Sequence, residues 1–201
     1  MKVIVITGGI GSGKSYACRY IEEKHGWPVY EADARVKQLY GEHPSLLRQI
    51  ESGLGENLKD EDGKFRPERL AGIIFNDADA LRMVESLVFP ALLDDFEAWK
   101  AGHADNDYVI LESATIIEKP QLSSVGDIRL LIDAPIDVRL ARAALRDDVD
   151  VSRIRLRMAS QTMMNDISSG LINAPVDAVI LNDGSIEEYR KKLDEFVDNI
   201  L

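Results

Sequence analysis

The sequence predicts an α/β fold with a five-stranded parallel sheet, and three observations carry that prediction. Five short apolar runs recur along the chain, Lys2 to Thr7, Val29-Tyr30, Tyr108 to Leu111, Ile128 to Ile132 and Ala178 to Leu181. Helical periodicity separates them, and each run closes on glycine or an acidic or amide residue, as buried parallel strands do. With 201 residues, 45% hydrophobic and 29% charged, the chain can bury one core of this kind.

The first run leads through glycines into residues 14 to 25, which carry a helical pattern broken by Gly26-Trp27-Pro28. Glu31-Ala32-Asp33 then falls at the carboxyl end of the second strand, the edge at which open parallel sheets bind ligands. From Ala34 to about His103 the pattern is helical, with a turn at Asp60-Glu61-Asp62-Gly63 and expected helix stops at Pro67 and Pro90. The third strand ends in Glu112 and the fourth in Asp133-Ala134-Pro135. Residues 136 to 165 form an Arg-rich helical stretch, and a final amphipathic helix follows Asn182-Asp183-Gly184 from about Ile186.

Gly8, Gly13, Lys14 and Ser15 match G-x-x-x-x-G-K-[ST] between a strand and a helix, the context that gives the motif its meaning. Glycines let backbone amides converge on phosphates, the helix N-terminus adds its dipole, Lys14 offsets phosphate charge, and the Ser15 hydroxyl can ligate Mg²⁺. Gly9, Ile10, Gly11, Ser12, Gly13, Lys14, Ser15 and Tyr16 are therefore candidate ATP-binding residues. Glu112, an acid ending a neighbouring hydrophobic strand, is the candidate second metal ligand, although any buried strand can end in a solvated carboxylate. The fold class expected is that of the P-loop NTPases, a three-layer α/β/α sandwich, here with a mostly helical insertion.

The remaining composition narrows the partners. A net charge of -11 disfavours nucleic acid and acidic membrane surfaces. No apolar stretch approaches the roughly 20 residues of a spanning helix, and the start has no signal-peptide pattern, so a cytoplasmic protein is expected. One cysteine, Cys18, reads as a packing residue. No Asn-Lys-x-Asp guanine-reading motif is present, which leaves small-molecule phosphotransfer ahead of GTPase function. A monomer or small homo-oligomer is expected.

The sequence resembles the dephospho-CoA kinases along almost its whole length. Thr7 to Ser15 has that family's wording of the loop, and Val29-Tyr30-Glu31-Ala32-Asp33 looks like its second strand and acidic pair. Asp133-Ala134-Pro135, Arg142, Arg146-Asp147, Arg157 and Gln161 resemble its lid, and Asn182-Asp183-Gly184-Ser185 its last loop. The resemblance implies transfer of the ATP γ-phosphoryl group to the ribose 3′-hydroxyl of dephospho-CoA. It makes Asp33 and Lys14 the catalytic pair, Arg142, Arg146 and Asn182 ATP ligands, Ser15 and Glu112 the Mg²⁺ ligands, and Lys37, Phe89 and Glu118 acceptor-binding residues.

The implied organisation is a single kinase domain, with core about 1–33, 104–138 and 170–201, an acceptor-binding insertion about 34–103 and a lid about 139–169. Arg139 shares a helical face with Arg142 and Arg146 and is expected to be surface charge. Three departures fall on the acceptor side. Phe89-Pro90 stands where the family commonly has His-Pro, Arg66-Pro67 where Asp-Arg is usual, and Ser113-Ala114-Thr115-Ile116-Ile117 where it has Pro-Leu-Leu-Phe. Two alternatives therefore stay open: a kinase of another small acceptor, or a nucleotide-binding regulator without phosphotransfer.

Overall fold

The computed structural model describes residues 1–114, 116–119, 122, 124–159, 161–170 and 175–201. Thr115 of the departing run and Ser160 of the expected lid lie outside the described residues. Two compact units emerge, Met1–Glu31 with His103–Leu201, and Ala32–Gly102.

The first unit is built on five parallel strands, β1 (Lys2–Thr7), β2 (Val29–Glu31), β3 (Tyr108–Glu112), β4 (Ile128–Asp133) and β5 (Ala178–Leu181), in the order β2-β3-β1-β4-β5. Their aliphatic residues bury both faces. Ile4, Ile6, Ile110, Leu130 and Ile132 point into one core with Ala17, Cys18 and Ile21 of α1 (Lys14–His25) and with Tyr189, Leu193, Phe196 and Val197. The alternate residues Val3, Val5, Val109, Leu111 and Leu131 are buried as well. Such two-sided burial is why the strands read as continuous apolar runs.

The Arg-rich stretch forms α6 (Ile136–Asp147), α7 (Val151–Ala159) and α8 (Thr162–Ser168), and the chain ends in α9 (Ile186–Ile200). Ser185 opens α9 with a capping box, its hydroxyl accepting from the Glu188 amide while the Glu188 carboxylate accepts from the Ser185 amide. Such a cap stabilises a helix start by about 1 kcal/mol.

The second unit holds α2 (Ala32–Glu42), α3 (Pro44–Leu54), α4 (Pro67–Ile74) and α5 (Ala78–Ala101). Arg35 clamps α2 to α5 through two hydrogen bonds of 2.7 Å to the Asp95 carboxylate. The expected turn is present, with the Asp60 carboxylate accepting from the amides of Asp62 and Lys64. The expected helix stops are not: Pro67 is the first residue of α4, and Pro90 lies inside the 24-residue α5. Proline at a helix start loses nothing, because that amide has no intrahelical acceptor. Within a helix it costs about 3 kcal/mol. Burial of Val84, Val88, Leu92 and Phe96 along one face of α5 outweighs this, at roughly 1.5–3 kcal/mol each. Among the described residues no helix is long and apolar enough to cross a membrane.

Candidate active site

The phosphate loop joins β1 to α1 at the carboxyl edge of the sheet, and its shape is imposed by where its carbonyls are held. The Ser12 carbonyl accepts from Asn182 Nδ2 at 2.8 Å, and the Gly13 carbonyl from the Tyr189 hydroxyl at 3.2 Å. A trans peptide points its C=O and the following N–H in opposite directions, and no peptide here is cis. Drawing these oxygens toward Asn182 and α9 therefore turns the Gly13 and Lys14 amides the other way. The amides of Gly11, Gly13, Lys14 and Ser15 meet no acceptor among the described residues. They form a nest of donors at the start of α1, where the helix dipole also favours an anion.

Two glycines are mechanically required. Gly11 and Gly13 have φ of 79° and 107°, and a Cβ at either would run into the Arg139 carbonyl or the Asn182 side chain.

Beside the nest, Glu112 at the end of β3 accepts a hydrogen bond of 2.8 Å from the Ser15 hydroxyl. The same oxygen stands 3.9 Å from Lys14 Nζ, and both side chains are nearly buried. Parallel pairing puts Glu112 level with Ile6 of β1 and Glu31 of β2, so the sheet itself brings the acid to the loop. A hydroxyl and a carboxylate on one spot are hard oxygen donors.

Asn182, just beyond β5, is buried and doubly engaged. Its carbonyl groups accept from Arg142, Nη1 to the backbone oxygen at 3.2 Å and Nη2 to Oδ1 at 3.3 Å. Arg142 thus stands behind Asn182, which stands behind the loop. Arg146 is exposed and pairs with Asp147, Nε to Oδ1 at 2.7 Å, while Arg157 reaches the other Asp147 oxygen at 2.6 Å. These two guanidiniums hold the Asp147 carboxyl down at about 2. The hydrogen bonds to Asp147 raise the Arg146 pKa in turn, with the charges of Asp147 and Glu112 adding to the effect.

Tyr16 lies at the start of α1, stacked 6.3 Å from Tyr20, and its hydroxyl accepts from Arg190 Nε. Glu118 accepts from the Met164 amide at 3.2 Å, in the first turn of α8. Burial pushes its carboxyl above the usual range, against the lowering effect of that amide. Asp33, Lys37 and Phe89 belong to the other unit. Asp33 is exposed in the first turn of α2, with exposed Lys37 one turn later, and half-buried Phe89 is on α5.

Arg139 overturns its expected place at the surface. It is fully buried, and its Nε donates to the Ile10 carbonyl at 3.0 Å. Spacing alone groups it with Arg142 and Arg146, but it lies in the first turns after β4, beneath the loop. Burial lowers its pKa, opposed by Asp133. Tyr189 also contacts the loop and was not read from the sequence, and Gln161, expected as part of the lid, contacts it too. For Tyr189 the signal available was position: it lies in the helix that follows the last strand, whose end the sheet brings to the loop's own edge.

Fold and site together define a P-loop kinase: a parallel sheet, a glycine-bounded anion nest with Lys14 and Ser15, and an acid from the adjacent strand. The chain belongs to the dephospho-CoA kinase family, whose model matches residues 2–188. It is similar to the dephospho-CoA kinase of Porphyromonas gingivalis, 37% identical over 90% of this chain and 86% of that one. It is likewise similar to that of Salinibacter ruber, 34% identical over 96% of this chain and 94% of that one. In fold it is similar to a Thermus thermophilus protein of known structure, with a TM-score of 0.81 at 22% identity, covering 100% of this chain and 98% of that one.

Proposed function

We propose that this chain transfers the γ-phosphoryl group of Mg-ATP in line to the ribose 3′-hydroxyl of dephospho-CoA, giving coenzyme A and ADP. The observation that carries the reading is the meeting of Lys14, Ser15 and Glu112 at one edge of the sheet, in a chain of this family. The nest amides and Lys14 bind the β- and γ-phosphates. Ser15 and Glu112 hold Mg²⁺, which when bound neutralises charge on the phosphate oxygens. Among the described residues no group of three or more His, Cys, Asp or Glu could hold a metal. Two protein oxygens are therefore matched to an ion that takes its other ligands from phosphate and water.

Asp33 accepts the proton of the acceptor hydroxyl and orients its oxygen toward the γ-phosphorus. Segment 34–103 receives the acceptor, with Lys37 near its phosphates and Phe89 in place of a polar contact. Arg142 and Arg146 act on ATP from the lid segment 139–169, with Glu118 at its base. The lone buried cysteine and net charge of -11 favour a reducing aqueous compartment, and we place the reaction in the cytoplasm.

ATP consumption by the purified protein, measured with dephospho-CoA, adenosine and nucleoside monophosphates in parallel, tests this. Selective turnover with dephospho-CoA is expected. Turnover with another member of the panel instead, or ATP binding with none, would reject it.

A further inference from the structure

We infer that Arg139 and Gln161 are positioning residues that hold the backbone of Ile10 from both sides and so pre-set the loop for nucleotide. This inference rests on reading the loop as the ATP phosphate site. Ile10 is the tip of that loop, and every polar atom it has is engaged. Its amide donates to Gln161 Oε1 at 2.9 Å, and its carbonyl accepts from Arg139 Nε at 3.0 Å. Its side chain packs on Leu140, Ala143, Ile154 and Met158, a small core shared by α6 and α7.

The consequence follows from peptide geometry. The Ile10 carbonyl and the Gly11 amide share one trans peptide. An oxygen held down by Arg139 sends the Gly11 N–H up, into the donor nest that Asn182 and Tyr189 complete at the Gly13 and Lys14 amides. Gln161 fixes the preceding peptide in the same way, and keeps the Ile10 amide from competing for a phosphate oxygen.

Both holders are themselves buried, and Arg139 is braced from behind. Arg139 is 0% and Gln161 5% exposed. Arg139 Nη1 donates to Ser168 Oγ at 3.2 Å, and Ser168 in turn donates to Asp133 Oδ1 at 2.8 Å. Arg139 Nη2 has no partner among the described residues and packs where a Cβ at Gly9 would stand. A buried guanidinium with an unused donor is costly for folding alone, at about 1–3 kcal/mol for such a group. Its placement against the loop is the return on that cost: a fixed positive charge below the point where phosphates gather, linking the loop to β4, α6 and α8.

The test uses Mg-ADP binding by titration calorimetry on the intact chain, so no acceptor is needed. Arg139→Met should weaken binding by about tenfold and Gln161→Met by about fivefold, the scale of lost buried hydrogen bonds. Ile10 amide hydrogen exchange, read by NMR, should quicken at least about tenfold in Gln161→Met, because its acceptor is gone. Ser168→Ala alters only an exposed residue and will fold; by removing the hydrogen-bond partner of Arg139 Nη1, and leaving it only Asp133 Oδ1 at 3.8 Å, it should weaken binding by about threefold.

Affinities within twofold of wild type in folded Gln161→Met and Ser168→Ala would overturn the inference. So would variants that melt earlier yet bind Mg-ADP normally below their transition. If the unmodified protein does not bind Mg-ADP, it is the phosphate-site reading that fails, and the inference with it.

Discussion

Around the phosphate loop, polar side chains from later segments reach back to backbone atoms, whereas in Ala32–Gly102 charged side chains chiefly pair with one another. Arg139, Asn182, Tyr189 and Gln161 all bond loop carbonyls or amides. Arg35 instead bonds Asp95 and Glu42, Lys59 bonds Glu51, and Arg66 bonds Asp60. The difference teaches how each unit stores its specificity. An anion site made of oriented amides depends on main-chain geometry, so glycines and buried braces fix it together. A helical unit held by side-chain ion pairs can exchange a half-buried residue such as Phe89, which takes part in none of them, without disturbing what holds it.

The contrast can be broken most forcefully at Lys14. Lys14→Ala should lower turnover by at least about a thousandfold through lost transition-state charge stabilisation, while circular dichroism melting stays near that of the wild type. Retained turnover above a tenth would mean that the loop is not the donor site. Next in size, Asp33→Asn should cut kcat by roughly a hundredfold or more and leave the Mg-ATP dissociation constant within about twofold. Near-normal kcat in that variant removes Asp33 as the acceptor-side base; equal losses in kcat and ATP affinity would erase the division of labour between the units. The smallest effect is expected at Phe89. Phe89→His should lower the dephospho-CoA KM by about threefold with the ATP KM unchanged, as one restored polar contact would. Unchanged acceptor titrations would show that this position does not set affinity.

Much of the first unit was legible because its signals are local. Each apolar run fell on one strand, and the Gly26-Trp27-Pro28 break ends α1 as read, with Gly26 as its cap at φ 71°. The loop motif marks Lys14 and Ser15 by spacing alone, and a strand ending in an acid marks Glu112. Asn182 was legible only through the family resemblance, as an ATP ligand, and the bracing contacts themselves were hidden because burial of a polar residue depends on contacts far apart in sequence. Asn182 lies 170 residues from Ser12 and Tyr189 176 from Gly13, while Arg139 carries the same residue type as its exposed neighbour Arg146. In the second unit Pro90 misled for a related reason: its local cost is fixed, but the gain from the buried face of α5 comes from packing that no short window contains.

Cys18 gives the fold a further property. The thiol is 1% exposed within α1, in the core between that helix and the sheet, and burial raises its pKa well above the ordinary thiol value, with Glu112 adding to the effect. Alkylating reagents attack thiolates, so in the folded state they find neither access nor the reactive form. As the chain's single cysteine, it reports any opening that exposes this core, because only then do access and the thiolate return. The protein thus carries a built-in clock for opening of its nucleotide core, one whose ticking a tightly bound nucleotide would slow.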